Sequence, residues 1–409
     1  MRKERISDRK RRLALAAVFC TFFLDNIAWS MVYPVFAPLF LGSTLFQEGT
    51  STATKVAFLG LFLSVFHLMQ FLFAPLIGEF SDRNGRRKAF LYTIFCTTAG
   101  FFLSAWGVEM RHLGLLFWGR VVTGAFSGNL SLCLAAISDL SPAKGRSRVH
   151  QFGNLSLIAG IAFILGAFWG GKLSDAHLSP YFSPSLPFWI GTLLTAGNGI
   201  FVWFSFEEPF VRNRAITFHL GEGWRNICLA LQTKNLQKIY VIYLFFLLAW
   251  NIVLQFSPIF AVNTFAFSPS NLGSFMAFLG VCWALGSGII TKWLVSYLQE
   301  AQVLGSCLFG FSILAFLIIF AKSAFTFVLL VGIVVLLSGI SWPLCTENIS
   351  KKATQKMRGK VLGMSQSVQS FAMGCAPTAA LFAYLSVDIP LLVAGGLGLV
   401  AFFLFLLQK

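Results

Sequence analysis

The chain has 409 residues, of which 57% are hydrophobic and 11% charged, and its formal net charge is +16 at pH 7. Soluble domains carry about 25% charged residues, so this composition excludes a soluble globular protein. The excess of Lys and Arg does not indicate a nucleic-acid partner, because these residues cluster in short loops between apolar runs.

Twelve apolar runs are long enough to cross a bilayer, which takes roughly 20 residues. They predict an all-α membrane protein with twelve transmembrane helices in two pseudo-symmetric six-helix bundles. The predicted spans cover 13–42, 55–79, 89–108, 112–138, 150–171, 187–206, 239–262, 271–298, 301–321, 325–347, 359–385 and 389–408. A polar stretch then divides the chain into an N-terminal bundle (1–206), a cytoplasmic central loop (207–238) and a C-terminal bundle (239–409).

The distribution of basic residues predicts the orientation in the membrane. Span 1 follows a basic tail and is far longer than the 7–15 residues of a signal-peptide core, so it is a retained helix. Of the 31 Lys and Arg residues, 26 lie in termini and loops of one side. Cytoplasmic loops retain such residues, so both termini are predicted to be cytoplasmic, in a multi-pass protein of the inner membrane.

Matching positions recur at an offset of about half the chain. Gly78 and Gly286 lie 208 residues apart, and so do Asp139 and Glu347. Internally duplicated transporters show such an offset, so the two halves are interpreted as repeats of one unit.

The string GEFSDRNGRRK at residues 78–88 joins spans 2 and 3. It resembles the signature loop of the major facilitator superfamily at every defining position. Ordinary packing and turn glycines in a basic loop would explain parts of it, but not Asp82 in register with both glycines. In that family the matching groups form a cytoplasmic latch that favours the outward-facing state. The resemblance implies this role for Gly78, Asp82, Arg83, Gly85, Arg86, Arg87 and Asp139.

Physical chemistry suggests how such a latch works. Gly78 would let a partner helix approach closely, and Asp82 would meet the partly positive N-terminus of a helix. Asp139, at the cytoplasmic end of span 4, lies within reach of Arg86. In the second half Ile290 stands where the acid would fall, so a second latch is expected to be degenerate.

Two charged residues lie deep inside spans, Asp25 in span 1 and Arg120 in span 4, and such residues are candidates for function. Asp25 is roughly 18 Å from the cytoplasmic start of its span and Arg120 roughly 12 Å from the outer start of its own. In a core about 30 Å thick these depths coincide, so the two can pair.

The residues around these charges resemble proton-coupled drug antiporters, including the tetracycline exporters. The resemblance rests on the segments LDN at 24–26 and YPV at 33–35, and on Arg120 with Gly124. It implies that Asp25 takes and releases a proton while Arg120 adjusts its pKa, which a cation lowers and burial raises. The alternative is a static ion pair.

Span 5 resembles the glycine pattern of the same antiporters, which keeps that helix thin and bent against a helix of the other half. The matching residues are Gly153, Gly166, Gly170 and Gly171. Ala162 and Ala167 depart from the pattern, which weakens the inference of antiport, and small residues packing a static helix pair remain an alternative. In span 11, the segment GCAP at 374–377 is a candidate helix break.

Polar and aromatic residues inside spans are candidates for lining the substrate cavity. Asn251 and Gln255 are four residues apart, hence on one face of span 7. His67 could titrate near neutral pH, or simply be hydrogen-bonded. The candidates are Trp29, His67, Gln70, Asn129, Asn251, Gln255, Gln366 and Gln369.

Together these features predict a monomeric secondary transporter that works by alternating access and exports a small organic solute or drug in exchange for protons. Proton-coupled uptake of an amino acid, nucleoside or siderophore is the alternative, and a non-transporting receptor or scaffold is a remote one. No phosphate-binding loop of the G-x-x-x-x-G-K-S/T type is present, and no metal-ligand or nucleophile–base set is visible. The sequence therefore predicts no enzyme, no metal and no cofactor, with the substrate, protons and the lipid bilayer as partners.

Overall fold

The computed structural model describes residues 8–42, 45–127, 129–140, 146–208, 222–232, 236–352, 358–384, 386 and 388–407. Within these ranges all regular structure is helical. The α-helices are α1 (Asp8–Leu41), α2 (Thr52–Asn84), α3 (Arg86–Glu109), α4 (Leu113–Phe126), α5 (Asn129–Leu140), α6 (Arg146–Leu173), α7 (Leu186–Ser205), α8 (Glu222–Gln232), α9 (Gln237–Phe265), α10 (Pro269–Leu285), α11 (Thr291–Tyr297), α12 (Glu300–Leu317), α13 (Ala324–Lys352), α14 (Arg358–Cys375) and α15 (Ile389–Leu406). A π-helix, Gly286–Ile290, joins α10 to α11, and 3₁₀ helices follow α12 (Ile318–Phe320) and α14 (Ala376–Tyr384).

The prediction of an all-helical membrane protein is confirmed. In the described ranges, nine helical stretches are long and apolar enough to cross a membrane. Predicted spans 4, 5 and 11 are not among the nine. The count of twelve spans therefore stays a prediction.

Predicted span 4 is not one continuous helix, which corrects the sequence analysis. α4 ends at Phe126, Ser127 is irregular, and α5 begins at Asn129. The Ser127 hydroxyl donates to the Gly124 carbonyl (3.0 Å). Serine hydroxyls compete for backbone groups in this way, and glycine lowers helix propensity, so the end of α4 has a local cause.

Predicted span 11 contains the expected break. α14 ends at Cys375 and the chain continues as a 3₁₀ helix from Ala376. Pro377 lacks the backbone N–H that a continuing α-helix would use, and its ring hinders the preceding turn.

The helices pack into two compact units. The first unit contains Met1–Tyr33 and Met69–Leu220, and the second contains Pro34–Leu68 and Gly221–Lys409. In the first unit α3 packs on α4 and α7; in the second, α9 packs on α15, and α12 on both α13 and α15. α1 and α2 each contribute residues to both units.

Helices α3 and α4 approach so closely that small residues are required between them. A Cβ added at Gly119 would lie 2.7 Å from the Ser104 nitrogen and 2.8 Å from the Gly100 oxygen. Both are backbone atoms that cannot move independently of α3. Gly119 therefore fixes the spacing of the two helices.

We expect Gly119→Ala to destabilise the protein by about 1–3 kcal/mol, the usual cost of overpacking a close contact. The measurement is the thermal unfolding of the purified protein in detergent. Gly197→Ala in α7 is the matched control, because a Cβ there meets no atom within 4 Å and alanine gains up to about 1 kcal/mol of helix propensity. Equal unfolding temperatures for the two variants would contradict the proposed packing role.

Candidate functional site

A single residue, Gly85, separates α2 from α3, so most of the signature segment 78–88 is helical and is not a loop. Gly85 has φ +98°, in the left-handed region that favours glycine. A Cβ on Gly85 would also lie within 2.8 Å of the Glu208 carboxyl carbon. Its backbone angle therefore favours glycine, and a Cβ would in addition displace the Glu208 carboxylate.

The N-terminus of α3 is capped by Glu208, which the sequence analysis missed. Oε1 of Glu208 accepts a hydrogen bond from the Arg86 amide (2.9 Å), and Oε2 accepts one from the Arg87 amide (3.0 Å). The first amides of a helix have no partner within it and carry a partial positive charge, which a carboxylate stabilises. Glu208 thus connects the chain after α7 to the signature segment.

The Arg86 guanidinium is buried among three oxygen-bearing groups. It forms ion pairs with Asp82 at 2.5 Å and with Asp139 at 2.9 Å, and it donates to the Ser81 hydroxyl at 2.7 Å. A buried charge is tolerated only when it is paired and hydrogen-bonded. Asp82, expected at a helix N-terminus, pairs with Arg86 here, while Glu208 takes the N-terminus of α3.

The other residues assigned to the latch differ in their surroundings. Arg87 donates to the Trp203 carbonyl (2.6 Å) and its guanidinium lies 5.5 Å from the centre of the Trp203 ring, which joins α3 to the end of α7. Arg83 is exposed. A Cβ at Gly78 would meet no atom within 4 Å, so the close helix approach expected there is not seen among the described residues.

A second ion cluster joins the end of α13 to the start of α12. The Lys351 ammonium lies 2.6 Å from a Glu300 carboxylate oxygen and 3.0 Å from one of Glu347. A degenerate second latch is expected from the sequence, because Ile290 replaces the acid. The charges of this half lie on other residues, which no comparison with segment 78–88 could have identified.

Asp25 and Arg120, the proposed proton-coupling residues, lie in the same unit. Arg120 is buried in α4. Asp25 is half-buried in α1. A direct Asp25–Arg120 pair stays a prediction.

The glycines of α6 pack on α1 within the first unit. A Cβ at Gly166 would lie 2.7 Å from the Ile27 oxygen, and one at Gly170 would meet the Met31 carbonyl. Gly171 is buried, and for Gly153 only the helical backbone is described. The partner helix from the other half that the resemblance implies stays a prediction.

The cavity candidates of the first unit are Trp29, Gln70 and Asn129. Trp29 lies 5.4 Å from the Tyr33 ring and 5.9 Å from the Phe163 ring, between centroids. The Gln70 amide donates to the Ser127 carbonyl at 3.5 Å, a long hydrogen bond. The side chain of Asn129 is outside the described part of the structure.

In the second unit, Asn251 and Gln255 are buried on one face of α9. The Asn251 amide donates to the Leu247 carbonyl (2.7 Å), and the Gln255 amide donates to the Met373 carbonyl next to the break in α14 (3.3 Å). His67 is buried with its ring edge against Phe66. Gln366 is exposed and Gln369 half-buried.

A family model described as Major Facilitator Superfamily matches residues 18–377. Tetracycline resistance protein class D from Salmonella ordonez is 26% identical over 88% of this chain and 86% of its own length. The class H protein from Pasteurella multocida is 32% identical over a shorter match, 38% of this chain and 36% of that protein.

Solved structures share the fold at low sequence identity. The human organic anion transporter MFSD10 (TETRAN) has a TM-score of 0.70 at 19% identity and covers 97% of this chain and 99% of its own. A mutant of the nucleoside transporter NupG has a TM-score of 0.74 at 16% identity, with the same coverage. These likenesses concern the fold alone.

We expect Glu208→Ala to open the start of α3, because the two amides lose their acceptor and the helix loses about 1–2 kcal/mol of capping energy. Hydrogen exchange measured by mass spectrometry should show faster exchange in peptides containing Arg86 and Arg87. Glu207→Ala removes the adjacent acid and should leave these peptides unchanged. Equal protection in both variants would show that Glu208 does not cap α3.

Proposed function

The chain belongs to the major facilitator superfamily, and we propose that it is a proton-coupled antiporter that exports a small organic solute or drug. Members of this superfamily are membrane transporters and not enzymes, and they bind small-molecule substrates. The proposal adds the coupling ion, the direction and the kind of solute. It places the protein in the bacterial inner membrane with both termini in the cytoplasm.

The observation that carries the proposal is the presence of an acid and a cation within apolar stretches of two helices of the first unit, Asp25 in α1 and Arg120 in α4. Ionisable residues inside a membrane are costly, and in carriers they commonly move protons. In this proposal Asp25 binds and releases the proton, and Arg120 biases its charge state. The alternative of a static ion pair predicts a structural defect without loss of coupling.

Export is supported by relatives that cover 84–88% of the chain and are named as tetracycline resistance proteins. Tetracycline is therefore the first solute to test. Ala162 and Ala167, which depart from the antiporter glycine pattern, leave uptake as the second candidate. Ala162 is fully buried and its carbonyl accepts from Ser30 (3.2 Å), so a small residue suffices for packing on α1.

The cytoplasmic latch is part of the same proposal. Asp82, Arg86 and Asp139 lie together next to the Gly85 turn, and Glu208 joins them through the α3 amides. We assign this group the role of stabilising one state of the transport cycle. Because the guanidinium is buried, removing one carboxylate would leave a poorly paired charge and shift the balance between states.

Proteoliposomes with an acidic lumen distinguish the two directions of coupling. An antiporter moves solute inward as protons leave, whereas a symporter carries solute outward with them. Tetracycline, an amino acid and a nucleoside should be tested, with protein-free liposomes correcting for passive distribution. Inward, protein-dependent movement of a drug supports antiport, and outward movement of a nutrient supports the second candidate.

We expect Asp25→Asn to abolish gradient-driven flux, down to the level of protein-free liposomes, while solute exchange without a gradient persists, because an amide cannot carry the proton. The flux is measured with the labelled solute and an internal pH dye. Glu48→Gln, at an exposed acid outside the helices, is the control and should retain full flux. Full gradient-driven transport by Asp25→Asn would refute the proton role and favour the static ion pair.

A further inference from the structure

Two tryptophans of the second unit form a half-buried pair. Trp283 in α10 and Trp342 in α13 have ring centroids 5.9 Å apart and an angle of 53° between their planes. Both side chains are partly exposed. The pair therefore presents aromatic surface that no described residue covers completely.

The exposed surface of the pair does not face the lipid. The lipid-facing stripe of α10 contains Phe278, Val281 and Leu285, all at least 40% exposed. At about 100° per residue, Trp283 lies about 160–200° around the helix from Val281 and Leu285.

Trp342 likewise faces away from the exposed large apolar residues of α13, which are Phe325, Leu329 and Ile333. Trp342 comes nine residues after Ile333, which is about 180° around the helix. Both tryptophans are thus partly exposed on the side of their helices away from these apolar residues.

Close backbone contact holds the pair in place. A Cβ at Gly339 would lie 2.6 Å from the Trp283 carbonyl oxygen, so α10 and α13 touch one turn before Trp342. A π-helix begins at Gly286, three residues after Trp283. Short π segments inside α-helices occur frequently at functional sites.

We propose that Trp283 and Trp342 form a stacking platform that binds a planar aromatic ring of the transported solute. The inference deepens the proposed function and rests on it for the identification of the ligand as a transported solute. No charged residue stands within four positions of either tryptophan in the sequence. The face of an aromatic ring is negative and attracts cations, so the platform takes neutral or cationic planar solutes in preference to anions.

Proflavine, a planar aromatic cation, is a suitable probe, with its binding to the purified full chain measured by equilibrium dialysis. An aromatic pair contributes about 0.5–1.5 kcal/mol beyond its buried area, so Trp283→Leu and Trp342→Leu should each weaken binding about two- to tenfold. Trp283→Phe and Trp342→Phe should retain most of the affinity. Trp293→Leu is the matched control, because Trp293 in α11 is 61% exposed, and it should bind like the unsubstituted protein.

A second measurement does not depend on the leucine variants folding. Bound proflavine should quench tryptophan emission in the unsubstituted protein, and the double variant Trp283→Phe with Trp342→Phe should bind proflavine with less quenching. Absence of proflavine binding, equal affinity in the folded leucine variants, or unchanged quenching in the double variant would each overturn the platform. Solute flux is assayed in parallel. If no solute is transported but the leucine variants bind proflavine more weakly, the result contradicts the proposed transport function and supports the aromatic binding site.

Discussion

Helices within lipid gain no hydrophobic energy by packing together, because the lipid chains are as apolar as their side chains. Their association depends on close backbone approach, which small residues permit. Gly119 of α4 packs against α3, Gly170 of α6 against α1, and Gly339 of α13 against α10. Each glycine brings the two helices nearer than a methyl group would allow. These contacts determine which side chains lie next to each other. The contact of Gly339 with the Trp283 carbonyl, for example, holds Trp283 next to Trp342. The positions of the candidate sites follow from this constraint on packing.

A second constraint concerns the charged groups at the ends of helices. A buried ion must be paired with an opposite charge close to it. In the first unit a buried arginine at the start of α3 is neutralised by acids of α2 and α5. In the second unit the signs are exchanged, because an acid at the start of α12 meets a lysine at the end of α13. The two clusters thus lie at comparable helix ends but differ in most of their residues, although Glu347 matches Asp139 as an acid.

The sequence was sufficient where the signal is local. Apolar length predicted the helical class, and residue types within segment 78–88 suggested the contact of Arg86 with Asp139. Glu208 escaped prediction because its partners lie more than 120 residues away in the chain and its own surroundings resemble an ordinary polar linker. The sequence predicts a loop at Gly85, whereas one residue with positive φ is enough to turn the chain between two long helices. The Trp283–Trp342 pair was missed because aromatic residues in apolar runs usually face lipid or pack against helices.

The distance between Asp25 and Arg120 during transport bears on how a proton carrier could work. A cation about 12 Å from a carboxylate, with an effective dielectric constant of about 20, acts on it with about 1.4 kcal/mol. That changes the balance between charged and neutral carboxyl by a factor of about ten. A contact ion pair would hold Asp25 charged, whereas a bias of this size leaves both proton binding and proton release accessible. The proposed proton role of Asp25 therefore requires the two charges to be separated in at least one state of the transport cycle.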